Sequence, residues 1–181
     1  MPFIEVSALN KRYRVGAQDI HVLRDLDLVV ERGEMLAIVG ASGVGKSTLL
    51  HLLGGLDRAD AGRITVDGHD LGAMADQARV AFRNAQVGFV FQFHHLLPEF
   101  SALENAEMPI RIARRPPAEA RAAASALLGR VGLAERLDHR PSMLSGANSS
   151  AWRSRAPWSC SRPWCWRMNR PAISTRPPAT P

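Results

Sequence analysis

A chain of 181 residues is long enough for one domain with a real core and too short for two. No stretch approaches the roughly 20 apolar residues of a membrane helix, and Met1-Pro2-Phe3-Ile4-Glu5 lacks the basic, apolar and small-residue order of a secretory signal, so a cytoplasmic chain is expected, free or held against a membrane by a partner. The net charge of +6 belongs to the end of the chain: residues 147–181 hold six arginines and no Asp or Glu, leaving 17 basic and 17 acidic side chains before them, and no nucleic-acid partner is expected.

The body alternates strands and helices. Phe3 to Val6 and Leu26 to Val30 read as strands partly open on one face; in the second, Leu26, Leu28 and Val30 alternate with Asp27 and Val29. Arg32-Gly33-Glu34 is a turn. Met35 to Val39 is a short continuous apolar run, the pattern of a strand buried on both faces of a parallel sheet. Lys46 to Leu53 reads as a helix stopped by Gly54-Gly55. Ile64 to Val66, closed by Asp67-Gly68, reads as an edge hairpin strand. Met74 to Asn84 suggests a helix, and Val87 to Phe91 another buried strand.

Past Gln92 the pattern is helical only. Ser101 and Glu104 have the spacing of a capping box, which starts a helix running toward Ile112. Pro116-Pro117 breaks the chain. Ala118 to Val131 then places Ala120, Ala124, Leu127, Leu128 and Val131 on one face. The expected organisation is an α/β core with an N-terminal β subdomain over residues 1–93 and a helical subdomain over 94–146. The tail, 147–181, shows no periodicity and is expected to be disordered.

Gly40-Ala41-Ser42-Gly43-Val44-Gly45-Lys46-Ser47-Thr48 matches G-x-x-x-x-G-K-[ST] and lies between the apolar run and the first helix. Gly40, Ser42, Gly43 and Gly45 let backbone N–H groups close around phosphates, and the helix N-terminus adds roughly half a positive charge. Lys46 would reach the β- and γ-phosphates, Ser47 would give its hydroxyl to Mg²⁺, and Thr48 closes the motif. ATP with Mg²⁺ is therefore the expected ligand. A chance Gly-rich turn could carry the same Lys-Ser pair, but the flanking strand and helix patterns favour the P-loop.

Three weaker signals accompany the loop: Lys11-Arg12-Tyr13, Phe89-Val90-Phe91-Gln92 and Leu144-Ser145-Gly146. Singly, each has an ordinary structural explanation. In this order and at this spacing, the four resemble the nucleotide-binding subunit of ABC transporters over residues 1–146. The resemblance implies an α/β P-loop NTPase fold with an antiparallel β subdomain and a helical subdomain. It implies that Tyr13 stacks on adenine, that Gln92 coordinates Mg²⁺ and senses the attacking water, and that Lys46 and Gln92 are the catalytic groups retained. It also implies that Ser145 and Gly146 begin the motif that caps ATP on an opposing copy, hence a homodimer of ATPase subunits.

Phe93-His94-His95-Leu96-Leu97-Pro98-Glu99-Phe100-Ser101-Ala102-Leu103-Glu104-Asn105, followed by Met108-Pro109, is similar to the ATPases of lipoprotein-releasing systems. Those drive transfer of outer-membrane lipoproteins from the inner membrane to a periplasmic carrier. This narrower resemblance implies a peripheral protein on the cytoplasmic face of the inner membrane, meeting two integral membrane subunits near Phe93–Asn105. Macrolide-export and cell-division ATPases share much of the pattern. The adjacent histidines invite a metal reading, but they point differently and lack a nearby third ligand, so packing against the membrane partner is expected.

The chain departs from the family after Gly146, where Gly-Glu-Gln-Gln-Arg should follow and Ala147-Asn148-Ser149-Ser150-Ala151-Trp152-Arg153 stands instead. An apolar strand ending in Asp-Glu, an Asp loop and a switch histidine are missing, so the fold is truncated before the Walker B strand. The tail reads as the missing sequence out of frame. Ala147 to Ser154 can be encoded GCG AAC AGC AGC GCG TGG CGA TCG, and one G restored in front yields Gly-Glu-Gln-Gln-Arg-Val-Ala-Ile. Trp164-Cys165-Trp166-Arg167 shifts to Leu-Val-Leu-Ala, and Met168-Asn169 forces Glu, giving Leu-Val-Leu-Ala-Asp-Glu when the Arg167 codon ends in G. A frameshift also accounts for the tail's arginine, tryptophan and proline, and displaces a metal or disulfide role for Cys160 and Cys165.

Overall fold

The computed structural model describes residues 2–90, 95–144 and the strand 164–167. Two compact units divide between Val87 and Gly88. In the first, β1 (Ile4–Val15), β2 (Gln18–Val30), β3 (Ala61–Val66) and β4 (His69–Asp70) form an antiparallel sheet of order β2-β1-β3-β4. The expected alternation holds in β2, where Val30 is buried and Leu26 and Leu28 are half-buried, while Asp27 and Val29 face solvent. Both of the first two strands run longer than their apolar patterns, because the polar stretch Arg12–Val15 is held by pairing with Gln18–His21 rather than by burial. Ile64 to Val66 is part of a hairpin but not an edge. It lies between β1 and the short β4, which the Asp67-Gly68 turn folds back to take the outer position.

A bulge in β1 sets the phase of that sheet. Ile4, Val6 and Leu9 are buried, so the inward face passes from even to odd positions at Ser7-Ala8. Opposite β2, Val6 pairs with Leu28 and Leu9 with Leu26, so two residues of β1 face the single Asp27. Opposite β3, Ser7 pairs with Arg63 and Asn10 with Ala61, so Ala8 and Leu9 face Gly62 alone. Ala8 has φ +46 and donates its N–H to Asp27 Oδ1 at 2.7 Å. A β-bulge of this kind flips every later side chain to the opposite face. Lys11 and Tyr13 thus follow Leu9.

Helix α1 (Lys46–Leu53) has the expected bounds and buries Leu49, Leu50, Leu52 and Leu53. Gly54 and Gly55 end it, their N–H groups bonding to Leu50 and Leu52 carbonyls at 2.9 Å. Helix α2 (Asp76–Gln86) starts two residues later than the pattern suggested and buries Phe82. Strand β5 (Val87–Val90) follows; Phe91 lies outside the described residues.

Met35 to Val39 does not form the expected buried strand. It has no strand pairing, and Met35 and Val39 are 96% and 87% exposed. A central parallel strand makes no hydrogen bonds of its own and exists only between neighbours. None of the described strands pairs with this run. Within the tail, Trp164–Arg167 is a strand, β6.

The second unit contains α3 (Ala102–Ile112) and α4 (Pro117–Arg130), packed together. The capping box forms as expected: the Glu104 N–H donates to Ser101 Oγ at 3.2 Å, and the Ser101 N–H donates to Glu104 Oε2 at 2.7 Å. The next orphan donors of the helix start reach backward, Ala102 N to His139 O at 2.8 Å and Leu103 N to Leu137 O at 2.9 Å. Ala102, Leu103 and Ala106 meet Ala124, Leu128, Val131, Leu133 and Leu144 in one apolar cluster. Of the predicted α4 face, Leu127 is only half-buried.

Two substitutions test these packings in urea denaturation. Gly62→Ala must place a Cβ 2.3 Å from the Ala8 carbonyl oxygen at φ +87, and is expected to destabilise by about 2–3 kcal/mol. Leu128→Ala empties a fully buried site between α3 and α4, with an expected loss of about 2–5 kcal/mol.

Candidate functional site

The loop Gly40–Thr48 enters α1 through Gly45, which takes φ +101 at the N-cap position. A side chain there would be strained and would meet Val22 Cγ1 at 2.8 Å, so only glycine lets the loop lie against β2. Gly43 also takes a left-handed φ, +81. No side chain caps α1 and its first turn holds no acid. The backbone N–H groups at this helix start are thus offered outward, with the positive end of the helix dipole behind them.

Lys46 folds back over the loop. Its Nζ donates to Gly40 O at 2.9 Å and to Ala41 O at 2.6 Å. The ammonium is therefore held at the mouth of the loop, where it adds a full positive charge to the dipole. Ser42 and Ser47 are exposed and Thr48 is half-buried. The arrangement can hold a multiply charged oxyanion.

Tyr13 lies on the same unit, 36% exposed, and its hydroxyl donates to Asp57 Oδ2 at 2.8 Å. The Asp57 N–H in turn reaches the His51 carbonyl of α1 at 3.4 Å, so Tyr13 is tied through Asp57 to the P-loop helix. Burial, then the bond to Asp57, pushes the phenol pKa up. Asp57 shows the opposite shift. Burial opposes ionisation there, but hydrogen bonds from Tyr13, the Arg58 N–H and Lys11 outweigh it and hold the carboxyl below its usual value. Lys11 completes the group: its Nζ lies 3.1 Å from Asp57 and donates to Arg58 O at 2.7 Å, with its side chain only 9% exposed.

Of the residues expected at the site, Tyr13, Gly40, Ser42, Gly43, Gly45, Lys46, Ser47 and Thr48 are described; Gln92, Ser145 and Gly146 lie outside the described residues. Asp57 was not anticipated. It is 44 residues from Tyr13, and no local pattern marks an acid four positions past a helix end as a partner of a strand aromatic. Among the described residues no cluster of three His, Cys, Asp or Glu could hold a metal alone. Ser47 fits Mg²⁺ in another way, since that ion keeps several waters and takes few protein ligands beside phosphate oxygens.

A family model described as ABC transporter matches residues 23–153. The chain belongs to the ABC transporter family. It is 52% identical over 143 residues to the lipoprotein-releasing system ATP-binding protein LolD of Geobacter metallireducens, covering 79% of this chain and 64% of that one. Against LolD of Pseudomonas fluorescens the identity is 54% over 138 residues, 76% of this chain and 61% of that one. The chain thus spans somewhat under two thirds of these relatives' length. Among solved structures, the ATP-binding cassette MJ0796, in a dimeric post-hydrolysis state bound to ADP and Pi, superposes with a TM-score of 0.78 at 31% identity, covering 91% of this chain and 72% of that one. The fold is that of the family's cassette, an antiparallel sheet plus helices around a P-loop.

The Asp57 pKa predicts an acid-side effect with a defined sign. Its folded value lies below the ordinary 3.8, so its stabilising contribution is present above pH 3.8 and lost as pH falls through the folded value. Urea midpoints measured down the acid limb should therefore fall less steeply for Asp57→Asn than for the unaltered chain.

Proposed function

We propose that this chain is an ATP-binding subunit of an ABC transporter serving lipoprotein release, and that as written it binds Mg·ATP without hydrolysing it. The observation carrying the binding half is the loop Gly40–Thr48, with an uncapped helix start and the Lys46 ammonium held at its mouth. ATP phosphates would take the loop N–H groups and Lys46. Ser47, with Gln92, would hold Mg²⁺, which neutralises phosphate charge when bound. Tyr13 would stack on adenine. The identity of 52–54% to LolD proteins supports the lipoprotein system over macrolide-export or cell-division relatives.

The membrane partners would dock beside α3. Asn105 fastens the preceding loop there: its Nδ2 donates to Leu97 O, Phe100 O and Ser101 O within 3.1 Å, and its Oδ1 accepts from the Leu97 N–H at 2.8 Å. That loop presents Leu97 and Phe100, 43% and 37% exposed, as apolar contacts. Among the described residues no helix is long and apolar enough to cross a membrane. Attachment to the cytoplasmic face would therefore run through those integral subunits, with two copies of this chain closing on two ATP molecules across Ser145 and Gly146.

Loss of hydrolysis follows from chemistry absent in the sequence. Residues 147–181 hold no Asp or Glu, so they supply neither the Mg²⁺-supporting aspartate nor a carboxylate base for the attacking water. The test is ATPase turnover of the chain as written against one with a single G restored before the Ala147 codon. Turnover is expected only in the restored chain. Equal rates would refute this account of the tail, as would a coding sequence in which the adjacent frame lacks the family's continuation.

A further inference from the structure

Tyr13 sits past the bulge on an exposed strand end, where packing does not fix an aromatic ring. Polar contacts do so instead. Its hydroxyl donates to Asp57 Oδ2 at 2.8 Å, and the Asp57 N–H reaches the His51 carbonyl of α1, the helix that the P-loop enters, at 3.4 Å. Asp57 is itself immobilised: Oδ1 accepts from the Arg58 N–H at 2.7 Å and from Lys11 Nζ at 3.1 Å. Lys11 is buried, a costly place for an ammonium unless it is paired. Its Nζ lies 4.9 Å from the Tyr13 ring centroid, occupying one face of the ring and leaving a base only the other.

We propose that Asp57, locked by Lys11, is a positioning residue that holds the Tyr13 ring to the P-loop helix, so that a purine base stacks in register with phosphates seated on Gly40–Thr48. This rests on Tyr13 as the base-stacking residue. The physical gain is preorganisation: the ring's rotational freedom is lost on folding rather than on binding. Lys11 and Tyr13 meet Asp57, whose N–H bonds to His51 of α1, so the sheet is linked to the helix that the phosphate loop enters. The base end and the phosphate end of a nucleotide site then share one rigid frame. Neither Lys11 nor Asp57 needs to touch the nucleotide.

The prediction separates base from phosphate. Binding of ADP and of inorganic tripolyphosphate is measured by calorimetry on the full chain and on Asp57→Asn, Tyr13→Phe and the double variant. Each single variant should weaken ADP by about tenfold, the scale of one lost hydrogen bond to a charged group, and leave tripolyphosphate unchanged. Because the two groups act as one unit, the double variant should bind ADP no worse than Tyr13→Phe. Tyr13 is the only tyrosine of the chain, so its ionisation can be read directly from phenolate absorbance. In Asp57→Asn that ionisation should move down toward 10.0.

Unchanged ADP affinity and an unchanged Tyr13 titration in Asp57→Asn would overturn the proposal. Equal losses for ADP and tripolyphosphate would also overturn it, indicating general loosening of the unit. If Asp57→Asn does not fold, Tyr13→Phe decides alone, since it keeps the ring and removes only the anchor. If the unaltered chain binds ADP and tripolyphosphate equally, the base-stacking role of Tyr13 itself fails. That result is distinct from one in which ADP is preferred but Asp57 is irrelevant.

Discussion

The bulge at Ser7-Ala8, received by Gly62 on one side and Asp27 on the other, is the constraint on which the site depends. Side chains on a strand alternate with period two, so a single extra residue decides which face Lys11 and Tyr13 occupy. Without it, Leu9 would leave the core and Tyr13 would turn away from Asp57. Gly62 makes the bulge possible because any Cβ there would collide with the backbone of Ser7 and Ala8. A glycine outside the P-loop therefore sets the face of β1 on which Tyr13 stands.

The phosphate end obeys a second backbone constraint. Gly45 allows the loop to lie against Val22 and to enter α1 without a cap, which leaves the first N–H groups open to an anion. Lys46 supplies charge at the same point while its own donors are satisfied by loop carbonyls. Asp57 joins Tyr13 to this helix, accepting from the Tyr13 hydroxyl and donating its N–H to His51 of α1. In this way the antiparallel sheet, which carries none of the motif, sets the aromatic's distance from the loop.

Local chemistry was legible in the sequence, and partnership was not. Lys46–Leu53 forms a helix with the bounds that its apolar spacing and the Gly54-Gly55 stop dictate, and Ser101 with Glu104 makes the capping box implied by their spacing. Both features are determined within one or two turns of chain. Met35–Val39 has the composition of a buried strand, yet burial requires neighbouring strands that none of the described residues provides. Ile64–Val66 was misplaced as an edge because the two-residue β4 beyond it is too short to show a period. Asp57 escaped notice for the same reason that it matters: its partners, Lys11 and Tyr13, are more than forty residues away.

The helical unit closes on its own cluster of Leu103, Leu128 and Leu133, with Asn105 holding the loop ahead of α3. The P-loop half of the site is likewise complete in itself, with its ligand groups oriented by backbone rather than by a partner. The proposed nucleotide binding draws on that half alone. The most direct measurement is calorimetric titration of Mg·ATP into the chain and into Lys46→Ala. Saturable binding at one nucleotide per chain, lost in Lys46→Ala, is the predicted result; absence of saturable binding, or binding indifferent to Lys46, would contradict it.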